Sequence, residues 1–306
     1  MTHANLSDFD LENDWLEERC RFDARARNAP VEKRILEFFS SVPLIRVLDI
    51  GSGLGANVRY YSRLFDCDQK WFLVEKSPER SLKAPGAIKS WAKENGWKTN
   101  ESEKGITVLM PHRRVQIEFK HGSFLDRENM ALLSGIDLVA ANALLDLITE
   151  KQFEDLAGGL AVYRIPLLAT LNYESMSFSP CERKDTEFIA AYEGHMKRHR
   201  QSGRAMGPDA VRHVTGFSEK NGVSVLSGKS PWHIGGKDQK MATLLFFFIE
   251  RALAEVRASG KWLSGMNSWI RRKRRKIWKG DLETTVTHSD VFMNFDGVSG
   301  GVFQPR

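Results

Sequence analysis

Cysteine is scarce. Cys20, Cys67 and Cys181 are the only three among 306 residues. They are odd in number and far apart, and no pair has zinc-ligand spacing. Neither a disulfide framework nor a structural zinc site is expected, and a reducing cytoplasm is the expected compartment. Long apolar runs are missing too. The longest, Leu244 to Ile249, has six residues, whereas a membrane-crossing helix needs roughly 18. The first eighteen residues hold six acids and no Lys or Arg, the reverse of an export signal. A general surplus of positive charge is also lacking. Lys and Arg number 45 and Asp and Glu 39, but Arg271 to Lys276 accounts for six of the basic residues, which leaves 39 against 39. The net +6 is therefore one local patch. It falls in Trp262–Trp278, where Trp262, Met266, Trp269, Ile270 and Ile277 recur at helical spacing. That predicts a helix with one packed stripe and one solvated basic face. Contact with RNA or anionic lipid is the alternative.

What is present is ordinary globular composition, 42% hydrophobic and 27% charged, which rules out whole-chain disorder. The length fits one large α/β domain with added segments. Residues 1–45 read as a helical front piece, helix-compatible from Glu12 to Phe39, interrupted at Pro30 and ended by Pro43. Strands and helices then alternate. Strands are expected at Ile45–Ile50, Trp71–Glu75, Val115–Phe119, Asp137–Ala141, Ile165–Leu171, Val223–Leu226 and Glu283–Val291. Helices are expected at Asn57–Phe65, Ser81–Asn95, Leu144–Leu156, Asp209–Asn221 and Gln239–Ala258. Trp97–Gly105 is polar and reads as an exposed loop. There is no internal repeat. Alternation of this kind predicts a doubly wound, seven-stranded, mostly parallel sheet with helices on both faces.

The strongest local signal is Val47-Leu48-Asp49-Ile50-Gly51-Ser52-Gly53-Leu54-Gly55-Ala56-Asn57. A strand runs into a glycine turn that opens a helix. Glycines there permit positive φ and let a ligand approach the backbone. By itself the turn also satisfies a dinucleotide fingerprint. Asp49, inside the strand, favours S-adenosylmethionine over NAD, because a carboxylate there reaches the cofactor's amino-acid end. Glu75 ends the second strand, where a carboxylate accepts from ribose hydroxyls in either case.

This segment resembles the class I S-adenosylmethionine-dependent methyltransferases over roughly residues 45–175. Val47 to Gly55 fits that family's first motif, Glu75 its ribose ligand, and Asp137 to Leu147 its fourth-strand motif. Gly122-Ser123-Phe124-Leu125-Asp126 occupies the adenine-contact segment. Many members have Asp where this chain has Ser123; the Phe124 N–H or Asp126 are the remaining adenine contacts. Shorter segments resemble a group of bacterial small-molecule methyltransferases: Trp15 to Arg19 with Asp23 and Ala26-Arg27, Gly207-Pro208, Ser230-Pro231-Trp232 and His288-Ser289-Asp290. The resemblance implies the Rossmann-like methyltransferase fold with a helical N-terminal cap at 1–45, a catalytic domain over 46–306, and a substrate cap at 173–205. It implies S-adenosylmethionine as cofactor, held by Asp49, Gly51, Ser52, Gly53, Gly55, Glu75, Ser123, Phe124 and Asn142, with no metal.

Methyl transfer from a sulfonium is an in-line displacement, so the expected residues mainly position the reactants. Asp146 is expected in the first turn of the helix after the fourth strand, to orient a substrate ammonium or take a proton; a helix-terminus carboxylate is the plainer reading. Asn142 ends that strand and Tyr173 follows the fifth. Arg19, Asp23 and Arg27 share one helix face. They form either a surface ion-pair ladder or a pocket lid whose arginine grips a carboxylate. Trp232 and His195 are further substrate-side candidates. His195 and His199 lie one turn apart, but nothing marks a third metal ligand. The expected substrate is small and amino-acid-like, methylated at N or S, with methionine S-methylation as one specific case. The rivals are an RNA methyltransferase using residues 271–276, a non-catalytic cofactor-binding regulator and a dehydrogenase. The N-P-P-Y motif of base amino-group methylases is absent, since Asn142-Ala143-Leu144-Leu145 stands in its place.

Overall fold

The computed structural model describes residues 8–200, 202–256 and 260–296. Two helices lead, α1 (Asp8–Ala26) and α2 (Ala29–Phe38). Asn28 separates them by capping α2, its side chain accepting from the Val31 N–H, while Pro30 sits in the first turn. A first-turn proline has no N–H to lose and a φ already set for helix. The chain continues through β1 (Leu44–Ile50), α3 (Ala56–Tyr61), β2 (Asp68–Glu75), α4 (Pro78–Glu94), β3 (Lys98–Ser102), β4 (Gly105–Met110), β5 (Arg113–His121) and α5 (Arg127–Ala131). Then follow β6 (Leu138–Asn142), α6 (Glu150–Tyr163), β7 (Leu167–Ser179), α7 (Asp185–Met196) and the short ribbon β8 (His199–Arg200) with β9 (Gly203–Arg204). The last elements are α8 (Ala210–Asn221), β10 (Ser224–Lys229), β11 (Trp232–Ile234), α9 (Gln239–Ala254), α10 (Gly260–Lys279) and β12 (Glu283–Asn294).

The main sheet runs β10-β12-β7-β6-β1-β2-β5-β4-β3, with β11 beside β12. The five strands β5, β2, β1, β6 and β7 pair in parallel. β12 is antiparallel to both β7 and β10, so β10 runs with the parallel set. Those seven strands are the expected doubly wound sheet with one reversed member. β2 and then β5 lie on one side of β1, and β6 and then β7 lie on the other. That reversal opens a crevice at the carboxyl ends of β1 and β6, where sheets of this kind take ligands.

The structure corrects three expectations. The stretch Trp97–Gly105 is not a loop. Its residues Lys98–Ser102 pair with Gly105–Met110 as an edge hairpin on β5, and these two strands together with β11 raise the sheet from seven strands to ten among the described residues. The hairpin's outer strand is almost wholly solvent-facing, so no apolar alternation marks it, as suits an edge that must not recruit other chains. Second, the helix expected over Leu144–Leu156 starts later. Leu145–Leu147 is a separate 3-10 turn. Thr149 then caps α6 in a reciprocal box with Gln152, a Thr-x-x-Gln signal present in the sequence. Asp146 therefore lies in that preceding turn.

Third, the basic run is not simply a solvated face. Lys273 is 0% exposed. Its Nζ lies 2.8 Å from the Asp185 carboxylate, which also accepts the Trp269 Nε1–H at 2.6 Å, and 4.4 Å from the Phe178 ring centroid. Arg272 and Lys276 pair with Glu182 at 2.8 and 3.0 Å, and Arg274 pairs with Glu250. Arg271 and Arg275 stay exposed. A buried charge is tolerable only when paired and hydrogen-bonded, so Lys273 and Asp185 fasten α10 to α7. Two hydrophobic clusters fill the two faces of the sheet. A third joins α1, α7, α9 and α10 to the far ends of β7 and β12, and several of its residues line the cavity described below.

Candidate functional site

Gly51, Gly53 and Gly55 all have positive φ, +63°, +55° and +83°. At Gly55 the space is closed as well, since an added Cβ would lie 2.9 Å from Ile88 Cδ1 and 3.3 Å from Leu73 Cδ2. At Gly55, then, positive φ and the nearness of α4 and β2 both favour glycine, while at Gly51 and Gly53 the positive φ does. Asp49 lies beneath the turn, 1% exposed. Its Oδ1 accepts the Asn57 Nδ2–H at 2.8 Å, while its Oδ2 is buried with no hydrogen-bond partner. Burial pushes this carboxyl up to about 7, against the opposing pull of the Asn57 hydrogen bond and the Arg27 charge. The Ser52 Oγ is also buried without a partner.

Glu75 braces the same turn. Its Oε2 accepts the Gly53 N–H at 2.9 Å and its Oε1 the Ser77 N–H at 2.8 Å. Ser123 and Phe124 follow β5, as expected from the sequence. Asp126 is turned inward on its own loop and accepts the Ser123 N–H at 2.7 Å.

Helix α1 crosses over this turn, with the Leu16 Cδ1 3.9 Å from where a Gly53 Cβ would be. Ion pairs Glu17–Arg59 and Glu12–Arg80, both 3.1 Å, hold it down. Its Arg19, Asp23 and Arg27 form no surface ladder. Asp23 is 2% exposed; it accepts the Asn142 Nδ2–H at 3.0 Å and pairs with the Arg19 Nε at 3.2 Å. Arg27 donates to the Thr170 Oγ1 and, at 3.3 Å, to the Asn57 Oδ1. Thr170 donates in turn to the Asn142 Oδ1 at 3.0 Å. A continuous polar chain thus runs Asp49, Asn57, Arg27, Thr170, Asn142, Asp23, Arg19. It joins the glycine turn to a second space on the other side of α1.

That space is a cavity of about 300 Å³ between α1, α7, α9 and the ends of β7, β11 and β12. Arg19, Asp146, Tyr173, His195 and Trp232 all line it. Asp23 and Arg27 do not; they lie in the polar chain beneath. The Tyr173 hydroxyl donates to the Glu193 Oε1 at 3.0 Å, and burial, with the Glu193 charge next, raises that phenol well above its usual range. Burial followed by the Asp146 charge pushes Tyr192 up to about 12. His195 sits at the rim, its Nε2 2.9 Å from Glu255 and its Nδ1 2.7 Å from the Arg198 guanidinium. His199 does not line the cavity; it starts the β8–β9 ribbon. Among the described residues no group of three or more His, Cys, Asp or Glu could hold a metal ion.

Several lining residues were not among the expected site residues. Trp15, Phe248 and His288 come from three separated elements, and Trp15 and His288 entered the sequence reading only inside resembling segments. Tyr192, His195 and Met196 share one face of α7, a spacing that would have grouped them. His288 stacks 4.5 Å from Trp232 between centroids, and burial, followed by the Arg19 charge, pushes its imidazole down to about 3. Two non-glycine residues with positive φ, Ala143 (+50°) and Leu171 (+54°), also line this cavity. Such conformations persist only where the surroundings enforce them, and they gather at functional sites.

No family model matches the sequence, and no curated protein matches it. Solved structures do. The YcgJ protein from Bacillus subtilis is 11% identical, covering 87% of this chain and 98% of that one, with a TM-score of 0.45. The cyclopropane synthase MmaA2 from Mycobacterium tuberculosis is 12% identical over 87% of this chain and 83% of its own, with a TM-score of 0.43. Phosphoethanolamine N-methyltransferase 2 from Haemonchus contortus, in complex with S-adenosyl-L-methionine, is 13% identical over 95% of this chain and 58% of its own, with a TM-score of 0.42. At such distances the function has to be read from the chain's own strand order and side chains.

Proposed function

We propose that this chain is an S-adenosylmethionine-dependent methyltransferase acting on a small, amino-acid-like molecule at nitrogen or sulfur. The observation that carries the reading is the Asp49 Oδ2, a buried carboxylate oxygen without a partner beneath a glycine turn and one polar chain away from a lined cavity. An ammonium or a water bound to it suits that oxygen. The glycine turn, Ser52 and Asn142 would hold the cofactor's amino-acid end with Asp49. Glu75 would take its ribose, and Ser123 and Phe124 its adenine. When bound, the cofactor supplies an activated methyl group on a sulfonium.

The protein's own work is placement. Asn142, fixed by Asp23 and Thr170, stands where the two spaces meet. Asp146 and the Tyr173–Glu193 pair orient the acceptor, and Asp146 takes a proton if the acceptor carries one. Trp15, Trp232 and Phe248 keep water from the reacting atoms, and alignment of this sort can supply roughly 7–11 kcal/mol. Residues 1–45 and 173–205 serve as two caps, since α1 and α7 both line the cavity. The RNA reading is weaker, because Arg272, Lys273, Arg274 and Lys276 already have acidic partners. No helix among the described residues is long and apolar enough to cross a membrane. Its three separate, free cysteines suit a cytoplasmic setting.

Titration calorimetry with S-adenosylhomocysteine is the test, repeated with amino acids present. Micromolar binding is expected, tightened by the substrate through coupling. Binding of NAD and not of S-adenosylhomocysteine would overturn the reading. Methionine is the first acceptor to try.

A further inference from the structure

We propose that Trp232, His288 and Arg19 form a receptor for a carboxylate of the substrate, in the corner of the cavity between α1, β11 and β12. This receptor rests on the methyltransferase reading and adds which end of the substrate is recognised, and by what.

Trp232 is 2% and His288 4% exposed. The Trp232 Nε1 and the His288 Nδ1 are both buried with no hydrogen-bond partner. A buried polar group left unpaired costs about 1–3 kcal/mol, and an indole nitrogen can only donate. Two such atoms on rings 4.5 Å apart, in residues that line the same cavity, form a polar corner that an oxygen of a bound molecule satisfies.

Arg19 supplies the charge. Its Nε and Nη2 face Asp23 at 3.2 to 3.4 Å, which leaves the outer edge of the fork toward the cavity it lines. Its guanidinium carbon is 5.0 Å from the Trp232 ring centroid and 5.8 Å from that of Trp15, so the two tryptophans hold the fork in place. His288 is neutral, because burial and then the Arg19 charge hold its imidazole near pKa 3; with its one proton on Nδ1, the tautomer that a bound carboxylate selects, it donates from that atom. With that tautomer the corner offers three kinds of donor and a positive charge, which describes a carboxylate receptor. An ammonium placed there would meet Arg19, and a hydrocarbon would leave the N–H groups unpaired.

Asp146 and Tyr192 line the same cavity, and after burial the charges of Asp146 and Glu193 raise the Tyr192 phenol. A substrate with a carboxylate toward Trp232 and a methyl-accepting or cationic part toward Asp146 matches both sets of groups. Sites built to hydrogen-bond a substrate group reject analogues lacking it by roughly 10⁴-fold.

The experiment follows the indole Nε1–H resonance of Trp232 by NMR in the full-length protein, assigned as the one lost in Trp232→Phe. With S-adenosylhomocysteine bound, the protein is titrated with a panel of amino acids, methionine first, and with the matching carboxamides. At least one acid is expected to move the resonance downfield to saturation and its amide to bind at least 10-fold more weakly; titration calorimetry, which needs no indole signal, is expected to show Trp232→Phe and Arg19→Gln each weakening the acid at least 10-fold. A resonance unmoved by every acid, or amides binding as tightly as acids, overturns the receptor and leaves the methyltransferase reading standing. Failure of S-adenosylhomocysteine itself to bind overturns that reading; a carboxylate that still moves the resonance keeps the receptor.

Discussion

The glycine turn and the cavity beside it are built in opposite ways. The turn draws its decisive groups, Asp49 to Asn57, from one short stretch of chain, and only Glu75 comes from elsewhere. The cavity draws its walls from α1, the Asp146 turn, β7, α7, β11, α9 and β12. The first is fixed by local backbone chemistry, because positive φ at three glycines and a carboxylate in a strand act over a few residues. The second exists only once distant helices have docked. Local sites of the first kind are written in a motif; sites of the second kind are written in packing.

The contrast implies that the cavity, and not the turn, should depend on the fastening of α7 to α10. Lys273→Met leaves the buried Asp185 carboxylate without its cation, a change that typically costs about 3–5 kcal/mol. Urea unfolding should show that loss, and a change below about 1 kcal/mol would mean that the pair does not hold the two helices.

Asp49→Asn probes the other region. It keeps the Asn57 neighbour and the fold but removes the charge, so affinity for S-adenosylhomocysteine should fall by roughly ten- to a hundred-fold, the range for losing one charge-assisted hydrogen bond. The pH dependence has a defined sign. The Asp49 carboxyl titrates near 7 in the folded protein and near 3.8 otherwise. Its contribution to stability is therefore fully present below about pH 4 and lost as pH rises through about 7. Melting temperatures of unliganded wild type should decline over that window relative to Asp49→Asn. Affinity for an ammonium-bearing ligand should climb over the same window, because the carboxylate must ionise to receive it. Curves that run parallel for the two proteins would show that Asp49 is ionised throughout.

Tyr173→Phe removes one hydrogen bond, to Glu193, on the cavity side only. Turnover is expected to drop about 10-fold, near 1.4 kcal/mol, with the affinity for S-adenosylhomocysteine unchanged; an equal loss in both would blur the separation of the two regions. Smallest of all should be Arg271→Gln with Arg275→Gln. Both are solvent-facing, so stability should stay within about 0.5 kcal/mol and turnover on a small acceptor should persist. Loss of that turnover would revive the RNA reading.

Much of the parallel sheet was legible, because strands such as Val47–Ile50 and Leu138–Ala141 are buried on both faces and read as short apolar runs. Strand β3 was not, since its residues face water on an edge. Asp146 was legible as a site residue but its helical setting was not, because the Thr149–Gln152 box that starts α6 further on was passed over. The basic run misled in one respect. Lys273 reads as solvated because five charged neighbours surround it in sequence, and only the approach of Asp185, 88 residues away, makes burial tolerable. His288 appeared only within a short resembling segment, with nothing local to mark it as part of the cavity wall.

By itself, then, the sequence determined the turn and where along the chain the central strands fall. Glycine's freedom at positive φ and the burial of apolar strands are properties of short segments and need no partner. Tertiary structure alone decided that Arg19 on α1 and Arg27, just past its end, serve different spaces. It decided likewise that Trp232 and His288 share a wall. Those outcomes depend on how α1 crosses the sheet and how β11 pairs with β12, and long-range docking of that kind leaves no periodic trace in the chain.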